Sequence, residues 1–567
     1  MKFQVLGLLL CSVFFQCDYT FAQYSQPLQH LWEVQPDLGD IWNRANQPTR
    51  LLFDIELLDS SEIQDQVHAA QLICNSYESK AFTPPVRDRA IELLVAKLEK
   101  GNMPLQVHRS MVSALALISD GSHAKMLWDV SQRDPLARSR VERSLVQWKS
   151  LVAIESWRGR LKVTDARPVD IALALEGLAA VGDPKDNNAL EEVLRGNRTT
   201  QSNRHLAANA MGQLNQKGLE ELAKSVLASN VEHRYLLAAH LIKRHTSESA
   251  LEYMRVIYEE GPPVAQRIAA HSICVLFPMT AVEFAPRFLT HDDPEVRLSA
   301  LAFLQSQTDE TSLKLQGSLL RDRNSDVRQL VGNQLTAKAK AGQKAIVDEC
   351  ITEQLNGELW PGIEQAILVA VRLKDTSRCR KFVELLSHPQ AEVNMFAGWA
   401  LMELAEEPEI LEEVYAHAQK ATEFLSIRGP DGKYKDTDLI RISYLHEALG
   451  RKRYEPAIGM LLKYVPKNDF KLGIVSRASA IWALGQLLDD KDDPALRARL
   501  MERMRDLAPV LPEDYLVRFS CALALGEMGF EDSIATLEEF NDGSLSELGH
   551  ACTWALGKIR SATADRK

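Results

Sequence analysis

Four sets of residues in this 567-residue sequence have types and spacings that could do chemistry. His446 and Glu447 adjoin in Leu445-His-Glu-Ala-Leu-Gly450, an imidazole beside a carboxylate, and both can bind a transition metal. His271 takes the equivalent place in an earlier segment, but Ser272 follows it. One His and one Glu cannot hold two metal ions. Asp431, Asp436 and Asp438 are spaced carboxylates beside Gly432. A calcium loop needs D-x-D-x-D-G and a later Glu; that order is absent and Lys433 and Lys435 intervene, so a solvated turn is expected. Arg138, Arg204, Arg234, Arg267, Arg297, Arg328, Arg477 and Arg518 share one register of a repeated pattern. Such a column could bind a carboxylate-rich or sulfated partner. The expectation set against it is pairing with carboxylates or helix ends of the adjacent repeat. Trp399, Trp482 and Trp554 share another register, with Leu523 in the same place. They could stack a ligand, but packing between repeats is the expectation taken.

Other chemistry has little sequence support. No H-E-x-x-H, G-x-S-x-G, P-loop or G-x-G-x-x-G occurs, and no C-x-x-C. Cys74, Cys274, Cys350, Cys379, Cys521 and Cys552 are scattered, unlike a disulfide framework. Cys521 and Cys552 occupy one register of neighbouring repeats. Helices pack about 8–10 Å apart, whereas a disulfide needs Cα atoms within about 7 Å, so two small core residues are expected. Asn197-Arg198-Thr199 is a lone glycosylation sequon.

The elements that must position these residues follow from the pattern itself. Its clearest copies are Arg477-Ala-Ser-Ala480-Ile-Trp-Ala483-Leu484-Gly485 and Arg518-Phe-Ser-Cys521-Ala-Leu-Ala524-Leu525-Gly526. A small residue stands three places in, another six places in, a larger apolar residue next, and often Gly last. That is helical spacing with a narrow, closely packed face. Fifteen copies begin at Val67, His108, Arg138, Ile171, Arg204, Arg234, Arg267, Arg297, Arg328, Ile363, Asn394, Ile442, Arg477, Arg518 and Gly549. All but three of the intervals are 30 to 35 residues, the period of stacked helical pairs.

The copy Asp293-Pro294-Glu295-Val296-Arg297-Leu-Ser-Ala300-Leu301 resembles a HEAT repeat, and Asn324-Ser325-Asp326-Val327-Arg328 echoes it. In the C-terminal third the copies are similar to the short HEAT-like repeats of the phycobilisome-lyase type. The resemblance implies an all-α solenoid of about fifteen stacked HEAT-like hairpins forming a curved superhelix, over residues 60–560. Asp293 and Asn324 are expected to cap the second helix of their pairs, with Pro294 at a first helical position. His446-Glu447 also resembles one His-Glu pair of deoxyhypusine hydroxylase, a di-iron enzyme on HEAT-like repeats. That family uses four such pairs; here there is one.

The remaining organisation is read from composition. Lys2 precedes an apolar core, Val5 to Phe15, too short for the roughly 20 residues a membrane span needs. Thr20-Phe21-Ala22 is an acceptable cleavage site, so residues 1–22 read as a signal peptide and the mature chain as starting near Gln23. Residues 23–59, with Trp32 and Trp42, read as an N-terminal extension and cap, and 561–567 as a polar tail. The charge is −11, with 77 acidic against 66 basic residues. No basic stripe is visible, which argues against nucleic acid.

The expected function is therefore an exported, periplasmic or extracellular, non-enzymatic interaction scaffold. Its partner is expected to be a protein or an extended polymer, with no cofactor, no metal and no integral membrane segment after signal removal. The alternative is an enzyme or enzyme subunit with a site assembled across repeats. The expected recognition element is the insertion from Ser426 to Asp438, carrying Arg428, Asp431, Lys433, Tyr434, Lys435 and Asp436. It interrupts a regular period, and such loops often carry recognition.

Overall fold

The computed structural model of the chain describes residues 48–79, 82–132, 134–163, 165–196, 199–426, 436–467, 472–489, 491–541 and 546–566. Among them lie thirty α-helices and no strand. In chain order they form fifteen pairs: α1 (Pro48–Glu56) with α2 (Ile63–Ser76), α3 (Pro84–Lys100) with α4 (Leu105–Ile118), α5 (Ala124–Ser131) with α6 (Pro135–Gln147), α7 (Ile154–Leu161) with α8 (Pro168–Val181), and α9 (Asn187–Arg195) with α10 (Gln201–Leu214). Next come α11 (Glu220–Ala228) with α12 (Arg234–Ile242), α13 (Glu248–Glu260) with α14 (Pro263–Leu276), α15 (Pro278–Leu289) with α16 (Pro294–Leu304), α17 (Glu310–Ser318) with α18 (Ser325–Lys338), and α19 (Lys344–Leu355) with α20 (Trp360–Arg372). The last are α21 (Cys379–Leu385) with α22 (Ala391–Leu404), α23 (Pro408–Ser426) with α24 (Asp436–Arg451), α25 (Ile458–Leu461) with α26 (Ile474–Leu487), α27 (Pro494–Arg505) with α28 (Tyr515–Met528), and α29 (Ile534–Glu539) with α30 (Glu547–Arg566).

All fifteen pattern positions fall on even-numbered helices. The chain divides into two compact units, split between Gln316 and Gly317. In the first, α2 packs on α4, α4 on α6, and so on in order to α16. In the second, α18 to α30 follow the same rule, each even helix packing on the next. Within each unit, odd helices lie against their own even partner, as in α9 with α10 or α27 with α28. This is a stack of helical hairpins, in which each repeat buries its apolar face against its neighbours.

The local chemistry explains where the helices start. Pro135, Pro168, Pro263 and Pro294 stand at first helical positions, where a missing N–H costs nothing. The Asp293 carboxylate accepts from Glu295 N–H at 3.0 Å. Asn324 Oδ1 accepts from Asp326 N–H at 2.9 Å and Val327 N–H at 3.1 Å. Both expected caps are present, each satisfying backbone donors that a helix leaves unpaired. The long intervals have local causes too. α3 runs for 17 residues and α23 for 19, each longer than most of its counterparts.

The final Gly of the pattern has a steric reason. A Cβ on Gly450, Gly485 or Gly526 would lie 2.8, 2.7 or 2.8 Å from the Cα of Ala483, Ala524 or Ala555 on the next even helix. Gly212 is tighter still, because a Cβ there would fall 1.9 Å from the His240 carbonyl oxygen. The small residues of the pattern let backbone meet backbone. No helix among the described residues is long and apolar enough to cross a membrane.

Candidate functional site

The arginine column is spent inside the stack. Arg204 Nη2 donates to the Gly196 carbonyl at 2.9 Å, and Arg234 Nη1 to the Ser229 carbonyl at 3.2 Å. Arg297 Nη1 donates to His291 and Asp292 carbonyls at 2.6 and 3.0 Å. Arg328 Nη1 reaches the Asp322 carbonyl and Arg518 Nε the Met504 carbonyl, both at 2.8 Å. Asn394, at the same register, reaches the His388 carbonyl through Nδ2 at 3.4 Å. Each acceptor lies in the segment where the first helix of the pair has ended or is ending. The orphan carbonyls of that segment are thus satisfied by a side chain from the second helix. Arg138 and Arg267 instead take carboxylates, Glu142 at 3.7 Å and Asp293. Pairing with helix ends and carboxylates is what the structure shows, though the helix end belongs to the arginine's own repeat, not the adjacent one.

The tryptophan register is packing as well. Trp399 and Trp482 are buried. The Trp482 ring packs where a Cβ on Gly450 would stand, and the Trp554 ring lies likewise beside Gly526. Cys521 and Cys552 are fully buried core residues.

His446 and Glu447, on α24, are both fully buried. His446 Nδ1 lies 3.1 Å from the Ser476 carbonyl and 3.3 Å from Ser479 Oγ. A carbonyl accepts, so Nδ1 carries the proton. The ring meets Tyr464 edge-to-face with centroids 4.6 Å apart, and Tyr464 Oη pairs with Thr422 Oγ1 at 2.8 Å. Burial drives the imidazole down to about 3, against a smaller opposing pull from the Ser476 carbonyl. The group is therefore a neutral core donor. Among the described residues no group of three or more His, Cys, Asp or Glu is placed to hold a metal ion.

Of the expected recognition loop, Arg428, Asp431, Lys433, Tyr434 and Lys435 lie outside the described residues, as does the Asp436 side chain. The sequon residues Asn197 and Arg198 lie outside them too.

A different loop, between α27 and α28, stands out. Leu507, Val510 and Leu511 are exposed by 58%, 80% and 64%. The loop is nonetheless firmly tied. Glu513 N–H donates to the Asp506 carbonyl at 2.9 Å, closing its base. The Glu513 carboxylate takes a two-pronged pair from Arg477, both bonds 2.8 Å, with neither side chain more than 1% exposed. Lys467 Nζ donates to Asp506 at 2.9 Å and also to the Leu511 carbonyl. That lysine holds the Asp506 carboxyl below the usual carboxylate range. Leu511 has φ +56°, a left-handed backbone that a branched residue adopts only under constraint. Beside the loop lies a surface hollow lined by Ala498, Met501, Glu502, Arg503, Arg505 and Asp506. The sequence signal for this site was the run Leu507-Ala-Pro-Val-Leu-Pro512, apolar residues between two prolines. The carboxylate that ties it sits 36 residues from its arginine, which no local pattern reveals.

No protein-family model matches the chain, and no curated protein matches it significantly. Solved structures do. Kap121p bound to Ste12p is 12% identical, covering 95% of this chain and 55% of that one, with a TM-score of 0.44. The karyopherin Kap121p bound to the extreme C-terminus of the phosphatase Cdc14p is 12% identical, covering 91% and 57%, with a TM-score of 0.46. Importin beta in an ammonium sulfate condition is 12% identical, covering 94% and 76%, with a TM-score of 0.40. The fold is HEAT-like. The chain spans a little over half the length of the Kap121p structures, and the likeness is one of stacked hairpins alone.

Proposed function

We propose that the chain is an exported, non-enzymatic scaffold that binds protein through the surface of its hairpin stack. One observation carries the reading. The loop at Leu507, Val510 and Leu511 exposes three large apolar side chains while a buried ion pair fixes its base. Clustered exposed apolar residues on a fixed frame mark a contact surface, and preordering limits what association must spend on side-chain and loop freedom. The arginine, tryptophan and His-Glu sets are engaged within the stack, so the surface rather than a pocket is left for recognition. The insertion from Ser426 to Asp438 is a second proposed contact.

The test is affinity capture from the native compartment with the full chain, compared with a Leu507→Asp, Val510→Asp, Leu511→Asp variant. A partner retained by the parent and lost by the variant supports the reading. Identical partners from both overturn the role of this loop, and replacing Ser426–Asp438 by a short Gly-Ser link asks the same of the insertion. Export rests on the tripartite N-terminus. N-terminal sequencing of the mature protein is expected to start near Gln23; recovery of Met1 would refute cleavage.

A further inference from the structure

His271 holds the register of His446 but not its burial, for it is exposed on α14. It belongs to a group of four basic side chains gathered where three successive even helices pack, α10 on α12 and α12 on α14. His205 stands on α10, His240 on α12 and Lys243 at the end of α12. These three are half-buried. The His205 and His240 rings lie 6.5 Å apart. Lys243 Nζ donates to Asn209 Oδ1 of α10, and Ser272 Oγ of α14 donates to the Lys243 carbonyl at 3.3 Å. The Lys243 charge acts on both His240 and His271.

What the group lacks is an anion. Among the described residues no carboxylate acts on any of the four; the charges that do are His205, His233, Lys243 and Arg244. Acids on the flanking elements are turned to other partners. Glu220 on α11 bonds Ser247 and His245, Glu260 on α13 takes Tyr235 Oη, and Glu232 takes Gln201 and His233. His205 Nε2 and His240 Nδ1 are buried without a partner among the described residues. An orphaned N–H is a rarer thing than an orphaned acceptor. The protons therefore sit on His205 Nδ1 and His240 Nε2, which are left to donate elsewhere. The arginine column is spent on carbonyls and carboxylates of its own stack; this group is not.

We propose that these four side chains form a binding site for the carboxylates of an acidic protein segment, with Lys243 supplying the charge and the histidines supplying donors. This rests on the protein-binding reading above and names the chemistry of one contact. A single ammonium beside imidazole donors suits singly charged carboxylates, whereas a phosphate carries nearly two charges and calls for a cluster of cations. From α10 to α14 is two helix spacings, about 16–20 Å. One carboxylate cannot span that, but five or six residues of extended chain do.

The amine gives the site a pH signature. Lost hydration, and then Arg244, lower Lys243 to about 8. A bound carboxylate favours the charged amine and raises it again. Binding is therefore full below about 8 and declines as pH rises through that value, about tenfold from pH 7 to pH 9. Glutamate stays ionised throughout, and a lysine at its ordinary value near 10.4 would give almost no change over this range.

The probe is a fluorescein-labelled (Glu-Gly-Ser)4 peptide, titrated by anisotropy against the full chain. The chain carries a net charge of −11, which repels such a peptide, so binding has to come from a local site. Saturable binding at pH 7 is expected, falling about tenfold by pH 9. Lys243→Gln is expected to weaken it at least tenfold and to flatten the pH profile. That variant removes a half-buried charge, so its melt should match or exceed the parent. His271→Gln, at an exposed position, is expected to weaken binding at least threefold. A (Gln-Gly-Ser)4 peptide is expected to bind at least tenfold more weakly than the Glu peptide. The inference is overturned by absent binding, by equal binding to the Lys243→Gln chain, by a flat profile in the parent, or by tenfold tighter binding of a peptide with phosphoserine in place of Glu. If native partners are captured by a chain that ignores (Glu-Gly-Ser)4, the inference fails and the scaffold reading stands. If the Glu peptide binds as described but no native partner is captured, the site stands and the scaffold reading fails.

Discussion

His446 links the stack to pH through a single proton. Its imidazole is held at about 3 by burial, below the ordinary 6.5 that it regains on unfolding. Between those values the unfolded chain binds a proton that the folded chain refuses. Stability is therefore full above 6.5 and lost as pH falls through the window, by up to about 1.4 kcal/mol per pH unit for this one group. His240 is lowered to about 3 as well, chiefly by burial and then by Lys243, so it steepens the same decline. Urea unfolding from pH 7 to pH 4 is expected to show this fall, and His446→Gln should flatten part of it. An unchanged slope in that variant would place the proton elsewhere. None of this was legible from the sequence. His446 and Glu447 read as possible ligands because they adjoin, whereas their environment comes from Ser476, Ser479 and Tyr464, contributed by later segments. Arg477 and its relatives were more readable, because their fixed register tied them to one repeated structural task.

At the scale of the element, helix beginnings were the best-written feature. Asp293-Pro294 and Asn324-Ser325 announce a cap and a first turn through local chemistry alone. Helix ends were poorly written, since the carbonyls closing α9, α11 and α27 are met by Arg204, Arg234 and Arg518 from across a turn. The loop between α27 and α28 is tied in part by a long-range contact of another kind, the buried Arg477–Glu513 ion pair. Arg477→Ala would remove the two-pronged partner of the buried Glu513 carboxylate, leaving it the Asp514 N–H at 3.0 Å and Arg503 at 3.7 Å; breaking a buried pair costs up to about 3–5 kcal/mol. A drop of that size in urea stability is expected, together with faster proteolysis between Asp506 and Glu513. Replacing both partners by apolar residues of similar volume should restore much of the loss. A destabilisation under about 1 kcal/mol for Arg477→Ala would show that the pair does not hold the loop base.

For the whole molecule, the period carried most of the information. Fifteen sequence positions mark fifteen second helices, because each has the same packing task against its neighbours. What the period could not carry is anything that occurs once, such as the ties of the loop at Leu511 or the burial of His446. Repetition also localises damage, since each hairpin touches only its neighbours. Gly526→Ala would force a Cβ to within 2.8 Å of Ala555 Cα. Such overpacking costs about 1–3 kcal/mol. Hydrogen exchange is expected to speed up in α28 and α30 while α2 to α8 stay as protected as before. Uniform loss of protection along the chain would contradict a nearest-neighbour stack.

The glycine-to-alanine contacts at Gly450, Gly485 and Gly526 also bear on mechanics. Where backbone rests on backbone there are few side-chain rotamers to rearrange, so neighbouring hairpins have little give as springs. This end of the chain should be stiff under small loads. Pulled harder, such a contact has only a short distance over which to yield, and adjoining hairpins should then let go one at a time. In a force-extension trace that would be a sawtooth, each tooth releasing the length of one repeat.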